Sequence, residues 1–556
     1  MSTLSSAAGR GSVLMASGTF VSRALGMVRN VLLVAALGAT GPIANAFDVA
    51  NRIPNILFAL LATGLINAVL VPQIVRAMRT DHAQEYLDKL LTAATVTILT
   101  ATLVCTLAAP VLVKIYLDSS WTPAQVSLAV AFAYWCIPQL FFYGLYAILG
   151  QVLNARSQFG PYMWAPVVNN VISIVGFSLF VVIFGRAAAD GSVTDLDGWT
   201  TTKTVWIAAV ATLGVLSQAV VLFIPLYRSG FRWQLRFGVR GIGLRTAGVV
   251  SLWIILATLV NQVGVWWTTR IATAAPQAAV DHGFDGSLRA IASNSAYTQA
   301  QLLYLLPHSL VTVSVATALF TGMSKAAAER DHAAVRAHLS AGLRVVGVFT
   351  VLATSVLVVL AGPLLKATVP SMDADEITAT VPALQTMAFG LVPLGAMVLM
   401  KWVYFAFEDG RTVFLMELPG LAALVLVSWI GSLVLPGQYW VAGIGLAIAC
   451  SNLVVVVGRA RGLSRLVHGF DGLRVARLYV RAAVAAVLAV VPGWLVTRAV
   501  GFSAGSSWGH ALVVSALAGG SMVVVYTLAL RVMRVHEAGE LVAPIARRAG
   551  RLLRRR

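Results

Sequence analysis

Residues 17–38 read SGTFVSRALGMVRNVLLVAALG. The run is apolar and long enough to cross a bilayer as a helix, yet it carries two arginines. At about 100° per residue, Thr19, Ser22, Arg23, Gly26, Arg29 and Asn30 fall within an arc of about 120°. An arginine near the centre of a spanning helix costs about 3 kcal/mol on insertion scales. Snorkelling can serve Arg29, nearer the end of the run, but Arg23 sits close to its middle. Both are expected to face protein or a water-filled cavity, and cations held there point to an anionic substrate.

The rest of the chain repeats the apolar theme. Of its 556 residues 59% are hydrophobic and 11% charged, too little charge to cover a soluble protein of this size. Further runs of spanning length fall at 44–74, 90–116, 124–153, 161–185 and 204–227. A second series covers 247–274, 291–321, 342–364, 380–407, 412–435 and 438–458, and two more lie near 479–500 and 509–533. The fold class is therefore an all-α integral membrane protein of about fourteen transmembrane helices. The three cysteines, Cys105, Cys136 and Cys450, all lie in apolar runs without metal-like spacing and read as core residues. The first run, broken by Arg23 and lacking a small-residue cleavage site, reads as a retained span and not a signal peptide.

The net charge of +19 is placed between spans, which points to membrane topology and not to nucleic acid. Arg228, Arg232, Arg236, Arg240 and Arg245 follow the sixth run. Arg459, Arg461, Arg465, Arg474, Arg477 and Arg481 follow the twelfth. Opposite loops carry Asp190, Asp195 and Asp197, or Asp281 and Asp285. Under the positive-inside rule both termini face the cytoplasm, with the tail arginines Arg547, Arg548, Arg551, Arg554, Arg555 and Arg556 against anionic lipid. RAMRTDHAQEY after the second run and KAAAERDHAAVRAHL after the eighth place Asp81–His82 and Asp331–His332 alike. An even repeat length gives the halves one orientation, as in parallel repeats. The expected organisation is an N-lobe of six spans over 1–236 and a C-lobe of six over 237–470, followed by two helices and a basic tail over 471–556.

The polar positions concentrate in four runs. Asn45, Asp48, Arg52 and Asn55 share one face of the second, with Pro54 and Gly64 predicting a bend. Asp48 and Arg52, at i and i+4, form a pair cheap to keep in an empty cavity. Thr258, Gln262, Trp266 and Thr269 share a face of the seventh, with Arg270 at its edge. Asn294, Tyr297, Gln301, Tyr304 and His308 do so in the eighth. A central cavity between lobes is one reading of these faces, and interhelical glue is the other. His308, after Pro307, is either a ligand or the cap of a kink. Phosphate-loop, zinc-protease and nucleophile-elbow motifs are missing, so the chain is expected to be a transporter and not an enzyme.

SRALGMVRNVLLVAALGATGPIANAFDVANRIPN at 22–55 resembles the opening signature of the MurJ/MviN family, within the superfamily that holds multidrug and polysaccharide-lipid exporters. LLYLLPHSLVTVSVATALFTGMS at 302–324 resembles that family's eighth helix. The resemblance covers essentially the whole chain. It implies a lipid II flippase of the bacterial cytoplasmic membrane, moving the undecaprenyl-pyrophosphate-linked peptidoglycan precursor outward by alternating access. Arg23 and Arg29 match the family's essential first-helix arginines, and Arg52 a basic position of its second helix. The implied substrate-binding set is Arg23, Arg29, Asn30, Asn45, Asp48, Arg52, Asn55, Arg270 and Gln301. No cofactor or metal is implied; the energy source is membrane potential or a coupling cation. The partners are lipid II, membrane lipids and cell-wall synthesis proteins.

The chain departs from the family pattern at several places. Asn30, Asn45 and Thr63 stand at acidic positions, and Phe58–Ala59 replaces an arginine pair. Gln301–Leu302 aligns with the helix-eight arginine, for which Arg270 is a candidate replacement. Leu424 and Ser428 align with the pair that binds a cation in some members. These differences look like an actinobacterial branch. Another exporter of the same fold, or a non-transporting scaffold for cell-wall synthases, stays open on sequence alone. A drug exporter would favour acidic residues for cationic drugs, and a scaffold would have no need of Arg23.

Overall fold

The computed structural model describes residues 2–63, 66, 70, 73–74, 83–156, 158–187, 196–238, 249–467, 469, 471–535 and 537. Every extended element among them is helical. Asp81–His82, Gly64, Arg240, Arg245, Asp190, Asp195 and the tail arginines lie outside the described residues, as does the Asp197 side chain.

Two compact units divide the chain at Gln262–Val263. Unit 1 contains α1 (Ser2–Leu37), α2 (Pro42–Leu61), α3 (Ala83–Leu107), α4 (Ala109–Tyr116), α5 (Pro123–Cys136), α6 (Gln139–Ala155), α7 (Phe159–Phe184), α8 (Thr201–Val220) and α9 (Phe223–Arg228). Its α1 packs on α7, α2 on α5, and α8 on α5, α6 and α7. The core gathers Phe47, Ile53, Phe132, Cys136, Phe177 and Ile207. Helix α10 (Val249–Asp281) crosses the division. Unit 2 continues with α11 (Asn294–Pro307), a π segment (His308–Thr312), α12 (Val313–Ala328), α13 (His332–Val359), α14 (Ala361–Thr368), α15 (Ala374–Ala388), α16 (Leu391–Ala406), α17 (Gly410–Val434), α18 (Trp440–Leu466), α19 (Gly472–Val500) and α20 (Trp508–Val532). There α17 packs on α18, α15 and α16 on α18, and the last two helices on one another and, through α19, on α13.

Among the described residues, twelve helical stretches are long and apolar enough to cross a membrane, thirteen with the pair α15–α16, which bends by 45°. Each lies within several residues of an expected run. The expected second span is represented by α2, 20 residues long, which is not among those counted because Asn45, Asp48, Asn51, Arg52 and Asn55 lower its hydropathy. Large apolar side chains such as Leu107 and Val182, each 80% exposed, cover the outer faces, as lipid-facing helices require. All three cysteines are free thiols.

Local sequence explains the helix ends. Asp331 accepts from the Ala334 amide at 2.9 Å and caps α13, which gives this copy of the repeated dipeptide a structural task. Asp373 and Glu376 form a reciprocal capping box at α15. Pro307 cannot donate to the helix ladder, and the wider π segment follows it directly. One loop assignment is corrected. Arg459 is not in a loop but wholly buried within α18, and Arg461 and Arg465 extend the same helix. Arg474, Arg477 and Arg481 belong to α19.

Candidate functional site

The polar arc of α1 divides between two tasks. Gly18, Ser22 and Gly26 recur every four residues and form the seam with α7. Asn170 of α7 donates to the Ser22 carbonyl at 2.7 Å and to its hydroxyl at 3.2 Å. A Cβ on Gly18 would stand 2.8 Å from the Trp164 ring, so only glycine lets the helices approach so closely. Arg23 and Arg29 escape this seam. Arg23 is on the exposed face of α1, while Arg29 and Asn30 are half-buried.

Arg29 forms no hydrogen bond or ion pair among the described residues. Its guanidinium lies within electrostatic reach of the Tyr143 hydroxyl. Tyr143 in turn belongs to a small polar network inside unit 1. Its hydroxyl donates to Gln139 Oε1 at 3.4 Å, and Gln139 Nε2 donates to Asn51 Oδ1 and Thr212 Oγ1, both at 3.2 Å. Thr212 donates onward to the Trp135 carbonyl at 2.7 Å. Gln139 is buried and begins α6, directly after the break at Ile137–Pro138. An amide at that point ties α2, α6 and α8 together.

On α2, Arg52 pairs with Asp48 at 3.2 Å, as their spacing predicts. Both are mostly shielded, with side-chain exposures of 14% and 21%. Arg52 is also within electrostatic reach of Tyr116. Asn45 is buried. Asn55 is exposed and bonds back to the Asn51 carbonyl at 2.7 Å, so its amide serves its own helix. Helix α2 runs through Pro54 and widens to π-type backbone at Ala62–Thr63.

In unit 2, Arg270 of α10 is half-buried, and its side chain makes no hydrogen bond or ion pair among the described residues. Gln301 donates to the Tyr297 hydroxyl at 3.3 Å. The Tyr304 hydroxyl accepts from Asn452 at 3.3 Å, so this part of the eighth run's polar face is interhelical glue. Ser428 accepts from Trp267 Nε1 at 2.9 Å and joins α10 to α17. No cluster of three or more His, Cys, Asp or Glu residues with metal-site geometry occurs among the described residues.

Sequence reading missed Asn51, Gln139, Tyr143 and Thr212. Asn51 adjoins a residue already singled out, and a glutamine after proline in an apolar run was the available signal for Gln139. It also missed the buried ion pairs of unit 2. Arg289 meets Asp373 at 2.7 Å and Glu376 at 3.0 Å, and Arg459 meets Glu417 at 2.6 Å.

A family profile described as lipid II flippase MurJ matches residues 33–512. The Burkholderia cenocepacia protein named lipid II flippase MurJ is 26% identical over 467 residues, covering 80% of this chain and 82% of that one. The Rickettsia prowazekii protein, named "Probable lipid II flippase MurJ", is 20% identical over 408 residues, 72% of this chain and 74% of its own length. A Rhizobium tropici relative of the same name is 26% identical over 318 residues, and the alignment spans only 54% of its length. Among solved structures, lipid II flippase MurJ in an inward closed conformation superposes with a TM-score of 0.69 at 17% identity, covering 94% of this chain and 99% of that one. An inward-facing multidrug transporter of the MATE family gives 0.61 at 16% identity, covering 84% and 98%. At these identities the structural likeness speaks for the fold.

Proposed function

The chain belongs to the lipid II flippase MurJ family, and from that premise we propose that it carries lipid II outward across the bacterial cytoplasmic membrane by alternating access. The observation that carries the reading is Arg29. A guanidinium held in a membrane-spanning helix without an acidic partner among the described residues suits an anion supplied by the substrate. The pyrophosphate of lipid II has that charge. Arg23, on the same helix and outside the α7 seam, is the second cation of this set. Arg52 differs: Asp48 already neutralises it, so it binds substrate through a pair that opens, or holds its helix while Arg29 binds. Asn30 and Asn55 supply polar contacts to the sugars, Asn45, which is buried, supports α2 from within unit 1 instead of touching substrate, and Arg270 and Gln301 are the corresponding groups of unit 2.

Asparagines at positions acidic in relatives support an actinobacterial branch with a more basic site. A membrane potential acting on the cations of α1, about 2.3 kcal/mol per charge per 100 mV, helps to reset the empty carrier with both termini cytoplasmic. Lipids and cell-wall synthesis proteins are the expected neighbours.

The test is depletion of a host's own flippase with rescue by this chain, scored by cell-wall synthesis and by immunodetection in the membrane fraction. Wild type is expected to rescue. Arg29→Ala and Arg23→Ala are expected to reach the membrane at normal levels and fail. Full rescue by both variants would overturn the site, and failure of well-expressed wild type would overturn the flippase reading.

A further inference from the structure

Unit 2 holds a second concentration of membrane-embedded charge, which the lipid II reading does not use. Arg459 of α18 is fully buried and donates to the Met397 carbonyl of α16 at 2.7 Å and to Glu417 of α17 at 2.6 Å. Its own carbonyl accepts from the Tyr404 hydroxyl of α16 at 3.2 Å. Met397, Lys401 and Tyr404 follow one another at steps of four and three residues, so they share one face of α16. Arg459 touches the first and the last of them, which places Lys401 on the face that Arg459 covers. The Lys401 ammonium lies within electrostatic reach of Arg459, Glu417 and His308 of the π segment.

Three polar groups in this cluster lack acceptors. Lys401 makes no hydrogen bond or ion pair among the described residues. Arg459 Nε and His308 Nδ1 are buried without a partner. Buried polar atoms in native proteins are nearly always paired, so the orphaned Arg459 Nε and His308 Nδ1, on two elements whose charged groups both lie within reach of the Lys401 ammonium, demand an explanation. Lys401 and Arg459 always donate, and His308 Nδ1 donates in the tautomer that protonates it. The charge balance is two cations against the single carboxylate of Glu417. A group that supplies acceptors and one negative charge satisfies both deficits, whereas a phosphate dianion would be repelled by Glu417. A π segment at this position fits too, because such segments recur at functional sites.

We propose that Lys401, Arg459 and His308 form an anion-binding site within unit 2 that takes one small monovalent anion of halide or carboxylate class. Glu417 orients Arg459 and sets the charge limit. The anion comes from solution as a halide or from the substrate as a peptide carboxylate.

The experiment uses the full chain in lipid nanodiscs, in an Arg23→Ala/Arg29→Ala background that removes the unit 1 cations from the readout. Chloride replaces isethionate, a bulkier sulfonate outside the halide and carboxylate classes, at constant ionic strength while the thermal unfolding midpoint is followed. A rise of about 2 °C is expected in that background. Lys401→Gln is expected to abolish it, Lys401→Arg to retain it, and His308→Phe, which removes a donor but no charge, to weaken the response several-fold. A second arm, with Arg23 and Arg29 intact, compares binding of lipid II with that of lipid II amidated at its stem-peptide carboxylates. A preference for the free acid that Lys401→Gln erases assigns the anion to the substrate. If neither response depends on Lys401, the proposal is overturned. The chloride arm stands whether or not lipid II is the transported molecule.

Discussion

Deleting the Glu417 carboxylate is the sharpest perturbation the structure offers. Glu417→Ala leaves Arg459, at 0% exposure, with the Met397 carbonyl as its remaining acceptor and Lys401 on the same helix face. Removing one partner of a buried ion pair costs about 3–5 kcal/mol, because the other charge stays buried and uncompensated. Glu417 itself is 26% exposed, so part of its charge is screened, and about 3 kcal/mol is the expected loss. The reverse deletion, Arg459→Met, leaves a carboxylate that solvent and Lys401 still reach, so it is expected to cost about half as much. The double variant Glu417→Leu/Arg459→Met replaces both charges by apolar groups of similar volume and is expected to fall within about 1 kcal/mol of wild type. The assay is a double-mutant cycle, closed with Glu417→Leu as the matching single variant, on unfolding midpoints of the purified full chain in one detergent. A double variant as unstable as the sum of the singles would refute the reasoning, since no coupling would then exist between the two charges. So would a Glu417→Ala protein that unfolds at the wild-type temperature.

Two further outcomes follow from unit 1. Gly18→Leu drives a side chain into the Trp164 ring across the α1–α7 seam; a loss of about 1–3 kcal/mol is expected, read as a lower midpoint, whereas Ala at neighbouring exposed Arg23 leaves the midpoint within about 0.5 kcal/mol. Gln139→Leu strands Asn51 Oδ1 and removes the acceptor of Tyr143, costing about 2 kcal/mol and lowering flippase rescue, while Gln139→Glu is expected to keep an acceptor for Tyr143 and lose less of it.

The apolar runs were legible because crossing a bilayer demands length and hydropathy, and both are local properties. Among the described residues, twelve of about fourteen runs correspond to helices of spanning length and hydropathy, one to the bent pair, and the second run to α2. The Asp48–Arg52 pair was legible for the same reason: four residues on a helix fix a distance. The arginines of α1 were conspicuous because charge in an apolar run is costly wherever the helix sits. What the sequence left ambiguous was the direction each polar residue serves. Ser22 and Arg23 are neighbours in one arc, yet Ser22 is tied to Asn170 of α7 while Arg23 lies on the exposed face of its helix. That choice depends on which helix packs alongside, and no periodicity contains it.

The same limit explains Arg459. By position it closes an apolar run and reads as a loop cation, and only the packing of α16, α17 and α18 reveals that it is buried and bound to Glu417, 42 residues away. Gln139 meets Asn51 across 88 residues in the same way. The sequence alone therefore determined the solvent, the helices and the cations that do not belong in it, because burial in lipid acts on each segment separately. Tertiary structure alone decided which polar groups satisfy one another and which are left over for a ligand. Pairing is a property of the neighbour in space, and in a bundle that neighbour is rarely near in the chain.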